Sequence, residues 1–359
     1  MSKICFVSDS FYPSIGGTQM LCKNISEFFK SKGHEIEIIT TIDLSRNLSS
    51  FDYKIKQFKN LNFSKTDLFV NNNYEHVFFL CDLFSTSLNT VDLSKIKNKT
   101  LILNLDENVY NWIKTKQAGF TSERVNFLVQ QIKRFTNVVS FCKGAPVNKF
   151  LQENGIKFSF IPNFSRDCSV KNALIEKIKN LIPLDKKIIF NYGNIEHRKN
   201  QLSLMNSFLS SELKDDFRLV ILGSPRSQHD QAYMNNILKT HKLKDKNKNV
   251  IFIGGTNNTD IIDSMLQLSS VFVLPSLAEG LPLVLLEAMS AGLPWVSTPC
   301  GGVPGVMSSM ESGLVLNNFD LNPSTLEEAV RKVEDKNSRE DWQDNFTKEL
   351  CCQKYLELL

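Results

Sequence analysis

Short β-rich apolar runs alternate with helical stretches along the whole chain, and this alternation admits little besides parallel sheets flanked by helices in α/β domains. In the first half strands are expected at 3–9, 35–41, 76–82, 99–106, 137–142 and 157–162, with helices over 17–32, 122–136 and 145–154. In the second half the expected strands are 187–192, 218–223, 249–254, 271–275 and 294–297, with helices near 200–211, 229–241, 259–268 and 282–291, the last opening with Pro282 in its first turn. The stretch 42–75, rich in Asn, Lys, Ser and Phe, has no strong period and predicts no element. A polar stretch at 163–186 reads as a linker, and residues 339–359 read as one amphipathic helix. A chain of 359 residues exceeds one ordinary core. The expected domains are therefore 1–165, 166–338 and the terminal helix 339–359.

Apolar runs such as VFVLPSL and VFFLCDLF reach seven or eight residues, far short of the roughly 18 that span a bilayer. The opening MSKICFVSDSF enters a strand pattern at once and lacks signal-peptide architecture, so a cytoplasmic protein is expected. Cysteines at 5, 22, 81, 142, 168, 300, 351 and 352 form no C-x-x-C pair and stand near no histidine set, so buried free thiols are expected and no metal site. Residues 1–165 carry 20 Lys and Arg against 14 Asp and Glu, a net of +6, while the remainder is −2. Such a charge is first of all that of an ordinary solvated lysine-rich surface, and it also suits an anionic membrane surface at the inner face or an acidic acceptor. Lys95, Lys97 and Lys99, and Lys114, Lys116, Lys133 and Arg134, are the spacings that would build such a face. No basic stripe interleaved with aromatics points to nucleic acid.

In tandem α/β domains ligands bind at the carboxyl ends of the strands, so the loops there carry the information. After the first strand comes SDSFYPSIGGTQ, where Gly16 and Gly17 precede a helix and can bring backbone N–H groups close to an anion, or simply form a tight turn. The spacing is not G-x-G-x-x-G, and the second strand closes on Thr40 and Thr41 rather than an acid, which disfavours a dinucleotide oxidoreductase. After strand 187–192, GNIEHRKN sets Arg198 and Lys199 before a helix, two cations suited to a diphosphate or to a solvated turn, with His197 as a surface residue. The most informative stretch is EGLPLVLLEAMSAGLPWV at 279–296. Glu279 follows a strand, and Glu287 interrupts an otherwise apolar helix. A carboxylate there is costly unless something hydrogen-bonds it, whether a sugar or ribose diol or a structural partner. Between the acids, Gly280 and the amides of the first helical turn can approach a phosphate or hydroxyl closely, and Gly301 and Gly302 turn at the same edge.

FYPSIGGTQ, FIPN at 160–163, GNIEHRKN at 193–200 and PSLAEGLPLVLLEAMSAGLPWVSTPCGGVPGV at 275–306 together resemble the retaining glycosyltransferases of family 4, the glycosyl transferases group 1. The resemblance implies a GT-B fold: two Rossmann-like domains facing across a cleft, with the C-terminal helix packing back on the first. It implies that Gly16 and Gly17 lie against the donor phosphates and that Lys199, assisted by Arg198, binds the diphosphate. Glu279 with the backbone of Gly280, Leu281, Pro282 and Leu283 would hold the donor sugar, and Glu287 the ribose. Neither catalytic metal nor cofactor is implied. The chain departs from the family pattern at Asn194, where many members have arginine, at Leu105-Asp106-Glu107, where many have histidine, and at Gly305, where glutamate commonly follows G-G-V-P. Asp106 and Glu107 are the acceptor-side candidates, and Asn194 stays on the donor side.

The expected reaction moves a hexosyl group from a nucleotide sugar to a hydroxyl of a glycan or lipid-linked acceptor, with retention. Such chemistry asks the protein to stabilise a departing diphosphate and to hold the acceptor oxygen against the anomeric carbon. The rivals are a nucleotide-sugar epimerase or phosphorylase, and a catalytically impaired sugar-binding or scaffold protein descended from such an enzyme.

Overall fold

Every described strand runs parallel to its neighbours. The computed structural model describes residues 1–13, 17–43, 50–59, 61, 69, 72–81, 92–103, 121–169, 178, 182–244 and 248–359. They form two units, Met1–Phe164 with Lys348–Leu359, and Ser165–Thr347.

The first unit contains β1 (Lys3–Ser8), α1 (Gly17–Ser31), β2 (Glu35–Thr41), β3 (Lys54–Phe58), β4 (His76–Leu80), β5 (Asn98–Leu103), α2 (Ser122–Lys133), β6 (Asn137–Ser140), α3 (Pro146–Glu153) and β7 (Ser159–Phe160). Its sheet order among the described residues is β3-β2-β1-β4-β5-β6-β7. Strand β1 is central and buried on both faces, as crossover helices require of a parallel sheet. Phe6 stacks on Phe78 at 5.0 Å, and Phe29 of α1 meets both edge-on. Strand β3 lies in the stretch that predicted nothing. It is an edge strand with a half-exposed, lysine-bearing sequence, KIKQF, and Lys56 pairs across to the buried Glu37 of β2. An edge strand that is only half-buried, with Phe58 alone against the core, has no clear apolar alternation to read.

The second unit contains β8 (Lys187–Tyr192), α4 (Gln201–Ser210), α5 (Leu213–Asp216), β9 (Phe217–Leu222), α6 (Gln228–Lys244), β10 (Val250–Ile253), α7 (Thr259–Leu268), β11 (Val271–Leu274), α8 (Leu283–Ser290), β12 (Trp295–Ser297), α9 (Val303–Met307), β13 (Gly313–Val315), α10 (Pro323–Val333) and α11 (Arg339–Asn345). Its described sheet order is β10-β9-β8-β11-β12-β13. The chain winds out from β8 to β10, returns to β11 beside β8, and winds the other way. The carboxyl ends of β8 and β11 thus flank a topological switch point, where ligands of such sheets bind.

Two expectations fail. Residues 339–359 are not one helix: Phe346 turns inward, fully buried with φ −132 and ψ 18, and ends α11 before α12 (Lys348–Leu356) begins. Helix α12 packs on α1 of the first unit, with Lys348 Nζ 3.6 Å from Glu27. Nor is 163–186 a free linker at its start. Phe164, Ser165 and Cys168 are buried, and Cys168 N donates to Ser290 Oγ of α8 at 3.1 Å. All eight cysteines are free and buried. Among the described residues no helix is long and apolar enough to cross a membrane.

Candidate active site

Beyond β8 the backbone turns at Gly193, whose φ of +144 suits glycine. A Cβ at Gly223 would strike the Gly193 carbonyl oxygen, so the loops after β8 and β9 touch through bare backbone. A single 3-10 turn, His197–Lys199, ends at Asn200 in the left-handed region (φ 56) and aims two cations at the loop after β11. The two loops are tied by Leu277 N donating to Arg198 O at 2.8 Å. Arg198 Nη1 donates to Ala278 O (2.6 Å) and Glu279 Oε2 (3.0 Å), while Nη2 donates to Glu196 Oε1 (2.7 Å). Lys199 Nζ donates to Glu279 Oε1 at 2.6 Å. Glu279 is 7% exposed, and each carboxylate oxygen has its own cation. Burial alone would push this carboxyl up, but Lys199 and Arg198 outweigh it and hold Glu279 below the usual glutamate range.

The loop 279–282 rests on the glycine turn after β12. Gly302 N donates to Gly280 O at 2.8 Å, and Gly301 sits at φ +55, where a Cβ would collide with the carbonyls of Glu279 and Gly280. The turn therefore supports the glutamate loop from beneath. Gly280 itself faces open space, for a Cβ there would meet nothing within 4 Å. Pro282 caps α8 rather than occupying its first turn; its carbonyl accepts from Leu285 N at 3.1 Å, and no side chain caps the Leu283 and Val284 amides.

Helix α8 buries Leu285, Leu286, Ala288 and Met289, and keeps Leu283, Val284 and Glu287 half-buried on one face, as spacings of three and four dictate. Glu287 meets a partner from the supposed linker: Arg166 Nε donates to Glu287 Oε1 at 3.1 Å, and Arg166 Nη1 to Asp263 Oδ2 of α7 at 2.6 Å. Burial pushes the Glu287 carboxyl up against the pull of Arg166. Its second oxygen, Oε2, has no partner among the described residues.

Residues 173–349 match the glycosyl transferases group 1 family. An uncharacterized glycosyltransferase of Haemophilus influenzae is 32% identical over 164 residues, 45% of this chain and 42% of that protein. The UDP-Gal:alpha-D-GlcNAc-diphosphoundecaprenol alpha-1,3-galactosyltransferase of Escherichia coli is 30% identical over 197 residues, 52% of this chain and 48% of that protein. The chain thus spans less than half the length of these relatives. Anabaena HepE in complex with UDP superposes with a TM-score of 0.79 at 14% identity over 99% of this chain and 98% of that one. At such identity the likeness is one of fold: two parallel α/β units of the GT-B class.

The matched region of this glycosyl transferases group 1 family holds Arg198, Lys199, Glu279 and Glu287. Asn194 stands half-buried beside them, and its carbonyl accepts from Gln201 Nε2 at 2.8 Å. Leu281 and Pro282 are buried and Leu283 half-buried. His197 is exposed, its ring 5.6 Å from that of Tyr233, and Gly305 is exposed on α9. Gly17 opens α1 in the first unit, whereas Gly16, Leu105, Asp106 and Glu107 lie outside the described residues. No group of three or more His, Cys, Asp or Glu among the described residues is placed to hold a metal ion. Of the basic face, Lys114 and Lys116 lie outside the described residues, and Lys99 is turned inward, donating to Leu93 O (2.7 Å) and Ile96 O (2.9 Å).

Sequence reasoning missed Arg166 and Asp263. Asp263 had a readable signal: it falls one helical turn from Thr259 and Leu266, on the side of α7 that carries apolar residues, as Glu287 interrupts α8. Arg166 had none, because an arginine in a polar stretch is indistinguishable from a solvated one.

Proposed function

We propose that this chain is a glycosyltransferase that moves a hexosyl group from a nucleotide sugar to an acceptor hydroxyl with retention of anomeric configuration. The observation that carries the reading is the buried carboxylate of Glu279 held by the half-buried Arg198 and Lys199 at the switch point of the second unit, inside the family-matched region. A diphosphate at this cluster competes with Glu279 for the two cations, and the carboxylate so released accepts from sugar hydroxyls. The glycosidic bond to the diphosphate breaks as charge on the leaving oxygens is taken up by Lys199 and Arg198. The acceptor oxygen bonds to the anomeric carbon from the same face, and its proton passes to a departing phosphate oxygen. Glu287 accepts from the ribose, and Gly280 and the first-turn amides of α8 line the sugar site. Asn194, Gly16 and Gly17 are assigned to the donor, Asp106 and Glu107 to the acceptor. No metal or cofactor takes part.

Uridine diphosphate sugars are the donors of choice, because UDP is the ligand of the HepE structure and the nucleotide in the E. coli relative's name. That name, with its diphosphoundecaprenol acceptor, also favours a lipid-linked or other glycan acceptor; we place the reaction in the cytoplasm at the inner membrane face. Calorimetry with UDP-, GDP- and ADP-sugars in excess EDTA, together with assays of nucleotide release, tests the reading. Binding with slow release of nucleoside diphosphate is expected; binding of none of them ends it. A second reading, a sugar-binding protein that has lost catalysis, draws on Arg198, whose Nη1 and Nη2 are both committed to protein acceptors. Tight nucleotide-sugar binding with no turnover on any acceptor or water would establish it.

A further inference from the structure

The segment that begins the second unit is stapled to the helices around Glu287. Trp342 Nε1 of α11 donates to Ser165 Oγ (2.8 Å), Cys168 N to Ser290 Oγ of α8 (3.1 Å), and Gln267 Nε2 of α7 to Cys168 O (3.3 Å). Asp167 forms a two-point pair with Arg339, 2.7 and 2.6 Å. Between these ties Arg166 bridges Asp263, 6% exposed, and Glu287, whose side chain is 19% exposed. One cation thus serves two carboxylates, and the surplus negative charge has one open outlet, Glu287 Oε2. Without the guanidinium the two acids would face each other across a desolvated space, and one would take up a proton. A protonated Glu287 loses acceptor strength toward a diol.

We propose that Arg166 is a positioning residue for nucleotide binding: it keeps Glu287 ionised and anchors Oε1, so that Oε2 accepts from the vicinal hydroxyls of the donor's ribose. The inference rests on the proposed function and names a residue outside the family-matched region. The charged and titratable groups facing the cluster are Asp263 from α7, the thiol of Cys168, which burial pushes up, and the Asp167–Arg339 pair. Cys168 is neutral in the working range and Arg339 is neutralised by Asp167, so among the described residues Arg166 is the cation that decides the state of Glu287. The Glu287 carboxyl already lies above its ordinary value through burial, and removal of Arg166 raises it further.

The experiment compares wild type, Arg166→Gln, Arg166→Lys and Glu287→Gln by calorimetry with UDP and with 2′,3′-dideoxy-UDP from pH 5.5 to 8.5. Wild type is expected to prefer UDP over the dideoxy analogue. Arg166→Gln should weaken UDP binding about tenfold at pH 7, less than the loss of a fully buried charged partner because the guanidinium is partly exposed, and should lose most of the preference. Its affinity should fall as pH drops, from a higher pH than in wild type. Arg166→Lys should recover part of the affinity, and Glu287→Gln should abolish the preference at every pH. Should Arg166→Gln fail to fold, Arg166→Lys carries the test, since a point charge cannot hold both carboxylates in the two-armed geometry. A folded Arg166 variant with wild-type diol preference and pH profile overturns the inference and leaves the proposed function standing. Absence of UDP binding in wild type overturns the inference, and absence of GDP and ADP binding as well overturns the proposed function.

Discussion

Lys199 and Glu287 sit in opposite electrostatic situations, and their substitutions should separate accordingly. Removing Lys199 leaves Glu279 buried with Arg198 alone, so Lys199→Ala should lower stability by up to about 3 kcal/mol and slow transfer by about 2–4 kcal/mol of barrier. In a Glu279→Gln background the stability loss of Lys199→Ala should shrink, because no uncompensated charge remains, while turnover stays low. Urea titrations beside nucleotide-release assays check both; equal stability losses in the two backgrounds would contradict a coupled pair. For Glu287 the sign is reversed. Its folded carboxyl titrates above the unfolded one, so its contribution to stability is fully present below the unfolded value and lost as pH rises through the folded one. Glu279 is depressed, so its contribution is present above the unfolded value and lost as pH falls through the folded one. Glu287→Gln, which retains an acceptor for Arg166, should therefore leave the neutral-pH Tm unchanged or higher while weakening nucleotide binding. A Tm that falls by several degrees would mean that the Glu287 charge stabilises the fold. Glu279 and Glu287 were legible in the sequence because each is a charge set among apolar residues, and Arg198 and Lys199 because they follow a strand. Their mutual pairing was not legible, since the distance between two loops is set by strand order rather than by sequence spacing.

At the level of elements, the glutamate loop depends on a turn from the next strand. Gly301 adopts a left-handed φ and lies against the carbonyls of Glu279 and Gly280. An alanine there carries both backbone strain and a collision with backbone that has no rotamer to escape into, so Gly301→Ala should cost roughly 1–3 kcal/mol. Nucleotide affinity should drop with it, because loop 279–282 must shift. Denaturant midpoints and calorimetry on the same variant decide the matter; loss of stability with intact affinity would uncouple the turn from the site. The buried parallel strands were the readable part of the fold, since two covered faces leave short apolar runs such as the IIF of β8 or the LVIL of β9. The edge strand β3 and the three-residue β13 gave no such run. Helix α10 did carry a start signal, Asn322 capping Thr325 N ahead of Pro323, that periodicity alone passed over.

Across the whole molecule the order of units in the chain is not the order of residues. The second unit ends at Thr347, and the last twelve residues, 348–359, belong to the first. Cys351, Cys352 and Tyr355 of α12 are fully buried, and the helix packs against α1, which itself seals Phe29 onto the β1 and β4 aromatics. Burying a large side chain stabilises by about 1.5–3 kcal/mol, a large share of what holds an ordinary domain together. The sequence reading made the tail one helix and missed its division, because the turn at Phe346 goes with the full burial of its side chain rather than with any break in periodicity. Truncation after Thr347 should therefore loosen the first unit and spare the second. Hydrogen exchange with mass spectrometry is the direct measurement: peptides from α1, β1 and β2 should exchange faster in the truncated chain, while those from β8, β11 and α8 keep their protection. UDP binding should be weakened at most and not lost, since Arg198, Lys199, Glu279 and Glu287 all lie in the unit that the cut spares. Uniform loss of protection in both units would show that they unfold as one body, and unchanged protection in α1 would remove α12 from the first unit's core.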